Sequence, residues 1–190
     1  MGFHTFDAEQ ADRLERPAVR YRWVSAEEVV GALTADRGDR AAATVADLGS
    51  GTGFYTDAVA PHVASVYGVD VQAEMHAFYR EKGVPENVAL VESDVSSLPF
   101  EDGELDAAFS TMTYHEFASD DALTELARAI RSGGRLALFD WSAAGAGEHG
   151  PPADERFAAS DAAAALEAAG FEVLSASERT ETFAVIARAP

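Results

Sequence analysis

Short apolar runs alternate along most of the chain with longer segments in which apolar residues recur at helical spacing. A short apolar run bounded by turn residues predicts a buried strand, whereas apolar positions three and four residues apart predict an amphipathic helix. On this basis the predicted strands are residues 44–48, 65–69, 88–92, 105–110, 135–140, 171–177 and 183–188. The predicted helices are residues 8–15, 25–33, 54–62, 73–82, 120–130 and 160–169.

The order of these elements predicts the class of fold. Strands that alternate with helices form βαβ units, whose strands are parallel. The last two strands are separated only by residues 178–182, which is too short for a crossover helix, so they must be antiparallel. The pattern therefore predicts an α/β fold: a Rossmann-like three-layer sandwich whose seven-stranded, mostly parallel sheet ends in an antiparallel C-terminal hairpin.

The strongest chemical signal follows the first predicted strand, where Gly49, Gly51 and Gly53 are spaced G-x-G-x-G and open a helix. Such a loop lets the backbone approach a ligand closely, beside a helix N-terminus. Asp70 ends the second strand about twenty residues further on, where a carboxylate accepts hydrogen bonds from ribose hydroxyls. Together these residues predict a site for a nucleoside-containing ligand and not a merely structural turn.

The identity of that ligand follows from two departures from the dinucleotide pattern. The dinucleotide fingerprint is G-x-G-x-x-G, with its glycine turn facing a pyrophosphate, and here the third glycine comes one residue earlier. Asp47 lies two residues before the first glycine, where a carboxylate repels a pyrophosphate but suits an ammonium group. S-adenosylmethionine carries an ammonium group and no phosphate, so the loop favours it over NAD and argues against a nucleotide-dependent oxidoreductase.

The composition of the chain restricts the class of protein and its expected location in the cell. The chain has 190 residues, of which 47% are hydrophobic, as in a globular domain with a sizeable core. It has no cysteine, which excludes disulfides, thiolate nucleophiles and thiolate metal sites, and its five histidines lack the spacing of a metal site. The N-terminal residues do not resemble a signal peptide and no apolar stretch has membrane-spanning length, so we expect a cytoplasmic protein without membrane insertion.

The balance of charge is strongly acidic. Lys and Arg total 14 and Asp and Glu total 33, for a net charge of -19, and Lys82 is the only lysine. Such a surface repels phosphate backbones and anionic lipid, so nucleic-acid and membrane partners are not expected. A carboxylate-rich surface with almost no lysine is typical of proteins from a very salty cytoplasm, where the Debye length falls to about 3 Å. We therefore interpret the charge as a sign of a halophilic habitat and not of the substrate.

A series of further motifs accompanies the glycine loop. The set comprises DLGSGTG at residues 47–53, GVD at 68–70, ESDV at 92–95, LPF at 98–100, LD at 105–106 with Ser110, and LARAIRSGGR at 126–135. It resembles the class I S-adenosylmethionine-dependent methyltransferases of methyltransferase type 11, especially the branch near the ubiquinone- and menaquinone-biosynthesis enzymes. Two more sets resemble a narrower group of short methyltransferases: residues 3–7 with 13–17, and Asp140-Trp141 with Gly150-Pro151-Pro152 and Arg156.

The resemblance implies one methyltransferase domain over residues 1–190, with an N-terminal helical cap over residues 1–40. It implies S-adenosylmethionine as the cofactor and a small molecule as the methyl acceptor. It assigns the glycines to the methionine and ribose side, Asp70 to the ribose, Asp94 to the adenine amino group and Val95 to a backbone contact. The cofactor-binding residues so implied are Asp47, Gly49, Ser50, Gly51, Gly53, Asp70, Val71, Asp94, Val95 and Ser110.

The acceptor is expected beyond the fourth strand, since ligands in open α/β sheets lie outside the carboxyl ends of the strands. Residues 111–117 follow that strand, and His115 is the leading candidate for a general base, with Tyr114 and Glu116 as accessories. A base is needed only if the acceptor must lose a proton. Otherwise His115 is a loop histidine that forms hydrogen bonds with the backbone.

Three more residues and one other function stay open at this point. His4 is a weaker candidate in the N-terminal cap, and Tyr21 either packs over the cofactor or belongs to the core. Trp141, at the end of the fifth strand, either lines the acceptor pocket or packs in the core. The alternative function is a protein that binds S-adenosylmethionine without catalysis, as a sensor or assembly factor, because such a protein shares all the cofactor residues.

Overall fold

The computed structural model describes residues 8–34 and 42–190, in which seven strands form one sheet. In chain order the strands are β1 (Thr44–Leu48), β2 (Ser65–Asp70), β3 (Val88–Glu92), β4 (Leu105–Thr111), β5 (Ile130–Trp141), β6 (Glu172–Glu178) and β7 (Thr182–Arg188). Their order across the sheet is β3-β2-β1-β4-β5-β7-β6, with β1 to β5 parallel and β7 antiparallel to both of its neighbours. The predicted fold, including its antiparallel C-terminal hairpin, is confirmed.

Helices cover both faces of this sheet. They are α1 (Pro17–Arg20), α2 (Ala26–Thr34), α3 (Phe54–Val59), α4 (Ala73–Lys82), α5 (Tyr114–Phe117), α6 (Asp120–Ala129) and α7 (Ala159–Ala168). Successive strand residues point to opposite faces, so Val45 and Ala137 join a core with α2 and α3, whereas Ala46 and Leu136 join one with α6 and α7. The sheet is therefore the middle of three layers. In the part of the chain that is described, no helix is long and apolar enough to cross a membrane.

Strand β5 begins earlier than the sequence pattern predicts. Residues 132–134, which precede the predicted strand, form a bulge within β5, because Ile130 already pairs with Leu105 and the pairing resumes at Arg135 opposite Ala107. Gly133, with a φ of +73°, supplies the left-handed conformation that this bulge uses. The glycine pair therefore bends a strand that continues on both sides of it.

The N-terminal segment also differs in detail from the prediction. Residues 8–15 were expected to be a helix, but the structure has a 3₁₀ helix at Ala8–Arg13. Pro17 begins α1, where its missing N–H costs no hydrogen bond. Helices α1 and α5 have only one turn each and show no helical periodicity in the sequence. A capping box precedes α2, with reciprocal hydrogen bonds of 2.9 and 3.2 Å between Ser25 and Glu28.

This segment is held against the glycine loop by side-chain contacts. Tyr55 on α3 donates its hydroxyl to the carbonyl of Val24 at 2.8 Å. Glu15 accepts a hydrogen bond from the Thr52 hydroxyl and pairs with the single lysine, Lys82, at 3.1 Å. The segment therefore lies across the carboxyl ends of the parallel strands, where it borders the cavity described next.

Candidate active site

A cavity of about 730 Å³ opens at the carboxyl ends of β1, β2 and β4. The strand order reverses at this point, because β2 and β3 lie on one side of β1 and β4 lies on the other. Open α/β sheets bind ligands at such switch points. The glycine loop borders one side of the cavity, and Leu14, Val19, Arg20 and Trp23 of the N-terminal segment border another. The loops that follow β2, β3 and β4, with Trp141 and residues 149–151, complete the lining.

The glycines of the loop serve two different purposes. Gly49, Gly51 and Gly53 all have positive φ, at +75°, +53° and +81°. A Cβ on Gly53 would lie 2.1 Å from the Tyr79 ring, and one on Gly49 would lie 2.3 Å from the Thr113 side chain. At Gly51 the nearest atom to that position is 3.8 Å away, and the residue lines the cavity. Gly49 and Gly53 therefore allow close packing, whereas Gly51 leaves room for a ligand.

Asp70 ends β2 at the cavity wall and holds the glycine loop in place. Its Oδ2 accepts a hydrogen bond from the Gly51 N–H at 2.8 Å, and its Oδ1 accepts one from the Gln72 N–H at 2.9 Å. The side chain is largely buried but borders the cavity, and each carboxylate oxygen has a second lone pair for a further donor. This geometry suits a pair of ribose hydroxyls.

Asp94 offers a second carboxylate to the cavity from the loop after β3. Its Oδ1 accepts hydrogen bonds from the Ser96 hydroxyl at 2.7 Å and the Ser96 N–H at 2.8 Å, which lower the pKa of Asp94 below its usual value. The group therefore stays ionised. Val95, which is buried, and Val71, which is half exposed, also line the cavity. The structure thus brings seven of the ten predicted cofactor-binding residues to one cavity: Gly49, Ser50, Gly51, Asp70, Val71, Asp94 and Val95.

Asp47, Gly53 and Ser110 lie outside the cavity lining. Asp47 is buried on β1, where its Oδ2 accepts the Thr56 hydroxyl at 2.6 Å, and burial raises its pKa to about 7. Three oxygens near the cavity are buried without a hydrogen-bond partner among the described residues: Asp47 Oδ1, Ser50 Oγ and Ser110 Oγ. Buried polar atoms are rarely left unpaired, and of these three residues Ser50 borders the cavity, so its hydroxyl indicates that a polar group of a ligand belongs there.

His115 borders the cavity and is oriented by a buried carboxylate, Asp140, at the end of β5. Its Nδ1 lies 2.9 Å from Asp140 Oδ2, which also accepts the His115 backbone N–H at 2.7 Å. The same carboxylate accepts the Trp141 N–H at 2.8 Å. A carboxylate at Nδ1 favours the proton on that nitrogen and leaves Nε2 as the basic one. Burial alone lowers the pKa of His115, but the Asp140 hydrogen bond and charge outweigh it and raise the pKa above its usual value.

A second carboxylate lies on the other side of the imidazole. Glu116 lines the cavity, and its Oε1 is 3.9 Å from His115 Nε2. Burial, helped by the negative charges of Asp70 and Asp140, raises the pKa of Glu116 to about 7. Near neutral pH this group therefore gains and loses a proton in the same range as a histidine.

Other predicted residues do not reach the cavity. Tyr114, expected as an accessory of His115, points into the core from the one-turn helix α5, where three phenylalanine rings lie 5.5 to 6.2 Å from its own. Consecutive helical residues face different sides, which separates Tyr114 from His115. Tyr21 neither lines the cavity nor joins the core, since its ring rests on Phe54 at 5.1 Å and stays largely exposed. His4 lies outside the described residues.

Four residues of the site were not singled out for it by sequence reasoning: Arg20, Trp23, Asp140 and His149. Trp23, Trp141 and His149 form what we call the aromatic wall of the cavity, with ring centroids 5.3 and 5.4 Å from that of Trp23. Trp141, for which lining and core packing were both open, is therefore a lining residue. Of these four, only Asp140 could have been identified from the sequence, because it is a lone carboxylate at the carboxyl end of a mostly apolar strand.

Comparison with known sequences finds methyltransferases that are similar to this chain. Residues 46–138 match the profile of a family described as a methyltransferase domain. The chain is 37% identical over 106 residues to the uncharacterized methyltransferase YcgJ of Bacillus subtilis, and 36% identical over 99 residues to the demethylmenaquinone methyltransferase of Corynebacterium kroppenstedtii. The alignments cover 53% and 52% of this chain and 42% of each relative. The chain thus spans about two fifths of the length of these curated relatives.

Comparison with solved structures extends the similarity to 98% of the chain. The crystal structure of an S-adenosylmethionine-dependent methyltransferase from Aquifex aeolicus superposes with a TM-score of 0.83 at 30% sequence identity. The superposition covers 98% of this chain and 100% of that chain. The similarity therefore includes the N-terminal segment and the C-terminal hairpin as well as the glycine loop.

Proposed function

The chain belongs to the S-adenosylmethionine-dependent methyltransferase family, and on this premise we propose that it methylates a hydroxyl group of a small planar acceptor, with His115 as the general base. The family and the fold imply S-adenosylmethionine as the cofactor. The observation that carries the proposal is the His115–Asp140 pair, whose imidazole borders the same cavity as the glycine loop. A carboxylate-oriented imidazole serves proton removal, which a hydroxyl acceptor requires.

The residues of the cavity fit this cofactor. Asp70 would accept the ribose hydroxyls, and Asp94 with Val95 would hold the adenine. The unpaired hydroxyls of Ser50 and Ser110, at the ends of β1 and β4, would gain partners from polar groups of the bound molecule. When bound, S-adenosylmethionine supplies a methyl group on a sulfonium, which is already an activated electrophile.

Replacing Asp70 with alanine should weaken the binding of S-adenosylhomocysteine by about 1–3 kcal/mol, the usual cost of leaving buried polar groups unpaired. The substitution removes the acceptor of the ribose hydroxyls and of the Gly51 N–H together. Calorimetry in molar potassium chloride measures the change, and the exposed Asp121, on α6, provides a matched control as Asp121→Ala. We expect the fold to persist, because Asp70 lies at a strand end. Unchanged affinity would mean that the ribose is bound elsewhere.

The proposed chemistry requires three side chains to act in sequence. His115 Nε2 would accept the proton of the acceptor hydroxyl while the oxygen bonds to the methyl group and the methyl–sulfur bond of the sulfonium breaks, leaving a neutral thioether. Asp140 keeps the ring in place through Nδ1 and stabilises the imidazolium that forms. Glu116, with its oxygen 3.9 Å from Nε2, is positioned to receive that proton and pass it to water in the cavity. Methyl transfer itself needs only orientation, which the cavity walls supply.

The aromatic wall favours a planar acceptor without positive charge. A guanidinium already lies over each tryptophan, with Arg22 4.7 Å from the Trp23 ring centroid and Arg156 5.7 Å from that of Trp141. These cations repel a cationic ligand from the wall, whereas a neutral ring packs well against aromatic side chains. The resemblance to the menaquinone branch, and the demethylmenaquinone methyltransferase among the relatives, support a planar ring as well.

Binding and transfer measurements in molar potassium chloride test the proposal. S-adenosylmethionine should bind and NAD should not. Transfer of labelled methyl groups is then measured with three probes of similar size: 1-naphthol, 1-naphthylmethylamine and decahydro-1-naphthol. We expect label on naphthol, and little on the cationic amine or the saturated, non-planar alcohol. Binding of NAD in place of S-adenosylmethionine, or a preference for the amine, would overturn the proposal.

A cofactor-binding protein without catalysis is the alternative, and the site does not favour it. Such a protein needs the glycine loop and Asp70, but it has no use for a base held by a buried carboxylate at the cavity. It would bind S-adenosylmethionine and transfer no label to any acceptor, including the metabolites of a cell extract. That outcome would replace the proposed activity while leaving the cofactor unchanged.

We also propose that the acidic surface is an adaptation to a cytoplasm of molar salt. A net charge of -19 destabilises a compact state through self-repulsion, and dissolved salt screens that repulsion. The same charge makes nucleic acid an unfavourable substrate and supports a small-molecule acceptor. We therefore relate the surface charge to the salt concentration in which the protein works, and the cavity to its activity.

The melting temperature should rise by about 10 °C or more between dilute buffer and molar potassium chloride, because screening restores several kcal/mol to a domain of this size. Calorimetric or fluorescence melting at fixed pH measures the change. Sucrose at equal osmolality is the control, since it favours the compact state without screening charge. An equal rise in sucrose, or no rise in salt, would contradict the screening explanation.

A further inference from the structure

Arg20, the last residue of α1, presents an incompletely paired guanidinium to the cavity. It lies 4.9 Å from the ring centroid of Tyr55 and 5.8 Å from that of Phe54, the residues that open α3 directly after the glycine loop. Its Nε is buried without a hydrogen-bond partner, and among the described residues no carboxylate lies within ion-pair distance of the guanidinium. A partly exposed guanidinium whose Nε is buried without a partner favours an anionic ligand group.

The charged groups around Arg20 indicate which kind of ligand would pair with it. Besides Arg20, the charged side chains that border the cavity are the carboxylates of Asp70, Asp94 and Glu116 and the guanidinium of Arg13, which is more exposed than that of Arg20. Asp47, buried below the glycine loop, has its own unpaired oxygen and interacts electrostatically with Arg20. One positive and one negative group, both incompletely paired, therefore flank the same loop. Their combined charge pattern is complementary to the ammonium and carboxylate of an amino acid.

We infer that Arg20 binds the carboxylate at the amino-acid end of S-adenosylmethionine, opposite the negative charge that Asp47 places near the ammonium. The inference rests on the proposed function, because it concerns the same cofactor. A guanidinium matches a carboxylate with two parallel hydrogen bonds, which a lysine ammonium does not reproduce. Stacking on Tyr55 orients the guanidinium before any ligand arrives.

The position of Arg20 also connects the cofactor to the acceptor side. Its backbone carbonyl accepts the Tyr55 hydroxyl at 3.1 Å and the Trp23 N–H at 3.1 Å. Trp23 belongs to the aromatic wall, so a ligand that binds the Arg20 side chain also anchors one face of the acceptor pocket. Binding of the complete cofactor should therefore protect amide hydrogens of residues 17–24 from exchange, whereas a ligand without the amino-acid end should protect them less.

A comparison of two ligands and three variants tests the inference. S-adenosylhomocysteine carries the carboxylate, and 5′-methylthioadenosine shares its adenosine and thioether but lacks the amino-acid end. Calorimetry in molar potassium chloride should show that Arg20→Gln weakens the first ligand about 10- to 100-fold, the range of a hydrogen bond to a charged group. Affinity for the second should stay within about threefold of the parent, which also shows that the variant is folded. Arg20→Lys should recover part of the loss.

Arg16→Gln is the matched control, because Arg16 is an exposed arginine just before the same helix and does not line the cavity. It should leave both affinities unchanged. Equal weakening of both ligands by Arg20→Gln would show that Arg20 only packs against Tyr55, and unchanged affinity for S-adenosylhomocysteine would place the carboxylate elsewhere. A parent protein that binds neither ligand would instead overturn the proposed function, so the two failures are distinguishable.

Discussion

Replacing His115 with alanine should lower the rate of methyl transfer by about 10²–10⁴, the usual contribution of a positioned general base. The affinity for S-adenosylhomocysteine should stay within a few-fold of the parent, because the adenine, ribose and amino-acid ends of the ligand are assigned to other residues. Single-turnover rates with labelled S-adenosylmethionine and 1-naphthol measure the first effect, and calorimetry measures the second.

His62→Ala is the matched control for this substitution. His62 is exposed at the end of the 3₁₀ turn after α3 and does not line the cavity, so its loss should leave both quantities unchanged. A rate that falls by less than about tenfold in His115→Ala would mean that the acceptor needs orientation and no base. Such a result would favour an acceptor atom that is nucleophilic without losing a proton.

The pH dependence of the rate identifies the form of His115 that acts. A general base must be neutral, so the rate should fall as the pH decreases through the pKa of His115. That pKa lies above the ordinary value near 6.5, because Asp140 outweighs the effect of burial, and the acid limb should therefore begin above pH 6.5. The pKa of Glu116 is raised to about 7, and its carboxylate lies 3.9 Å from the imidazole. The pH profile of the parent protein therefore reflects the protonation of both groups. Glu116→Gln removes one charge and should shift the limb to lower pH.

Replacing Asp140 with asparagine should lower the rate by about 10²–10³ while the cofactor still binds, since an amide no longer holds Nδ1–H with a negative charge. The side chain accepts from two backbone N–H groups and the imidazole, and asparagine has one oxygen for these donors. We therefore also expect a lower melting temperature. The acid limb of the pH profile should move to lower pH, because the charge that raises the pKa of His115 is gone.

The shift of the acid limb separates positioning from mere stability. A purely structural loss would lower the melting temperature and reduce the amount of active protein without moving the pH profile. Asp121→Asn, at the exposed start of α6, controls for the loss of a carboxylate and should change neither. A variant at Asp140 that keeps the parent rate and profile would remove the pair from the mechanism.

Those parts of the protein that depend on residues close together in the chain could be predicted from the sequence. Strand β1, the glycine loop and α3 follow from a short apolar run, three spaced glycines and a following helical pattern. The antiparallel pairing of β6 and β7 follows from the shortness of the loop that joins them. Asp70 was placed correctly at the end of β2 because a strand end is a local property. The boundaries that shifted, at β5 and in the N-terminal segment, were those where one turn or a bulge leaves no periodic signal.

Which side chains share the site depends on packing between distant segments and could not be predicted from the sequence. His115 and Asp140 are 25 positions apart, and they meet because β4 and β5 are adjacent parallel strands whose ends align at Thr111 opposite Phe139. Arg20 reaches the glycine loop because the N-terminal segment folds back onto α3 through the Tyr55 hydroxyl. Neither pairing has a sequence pattern, since each depends on strand order and on packing between distant segments. The same packing buries the Tyr114 side chain in the core, although Tyr114 is adjacent to His115 in the chain.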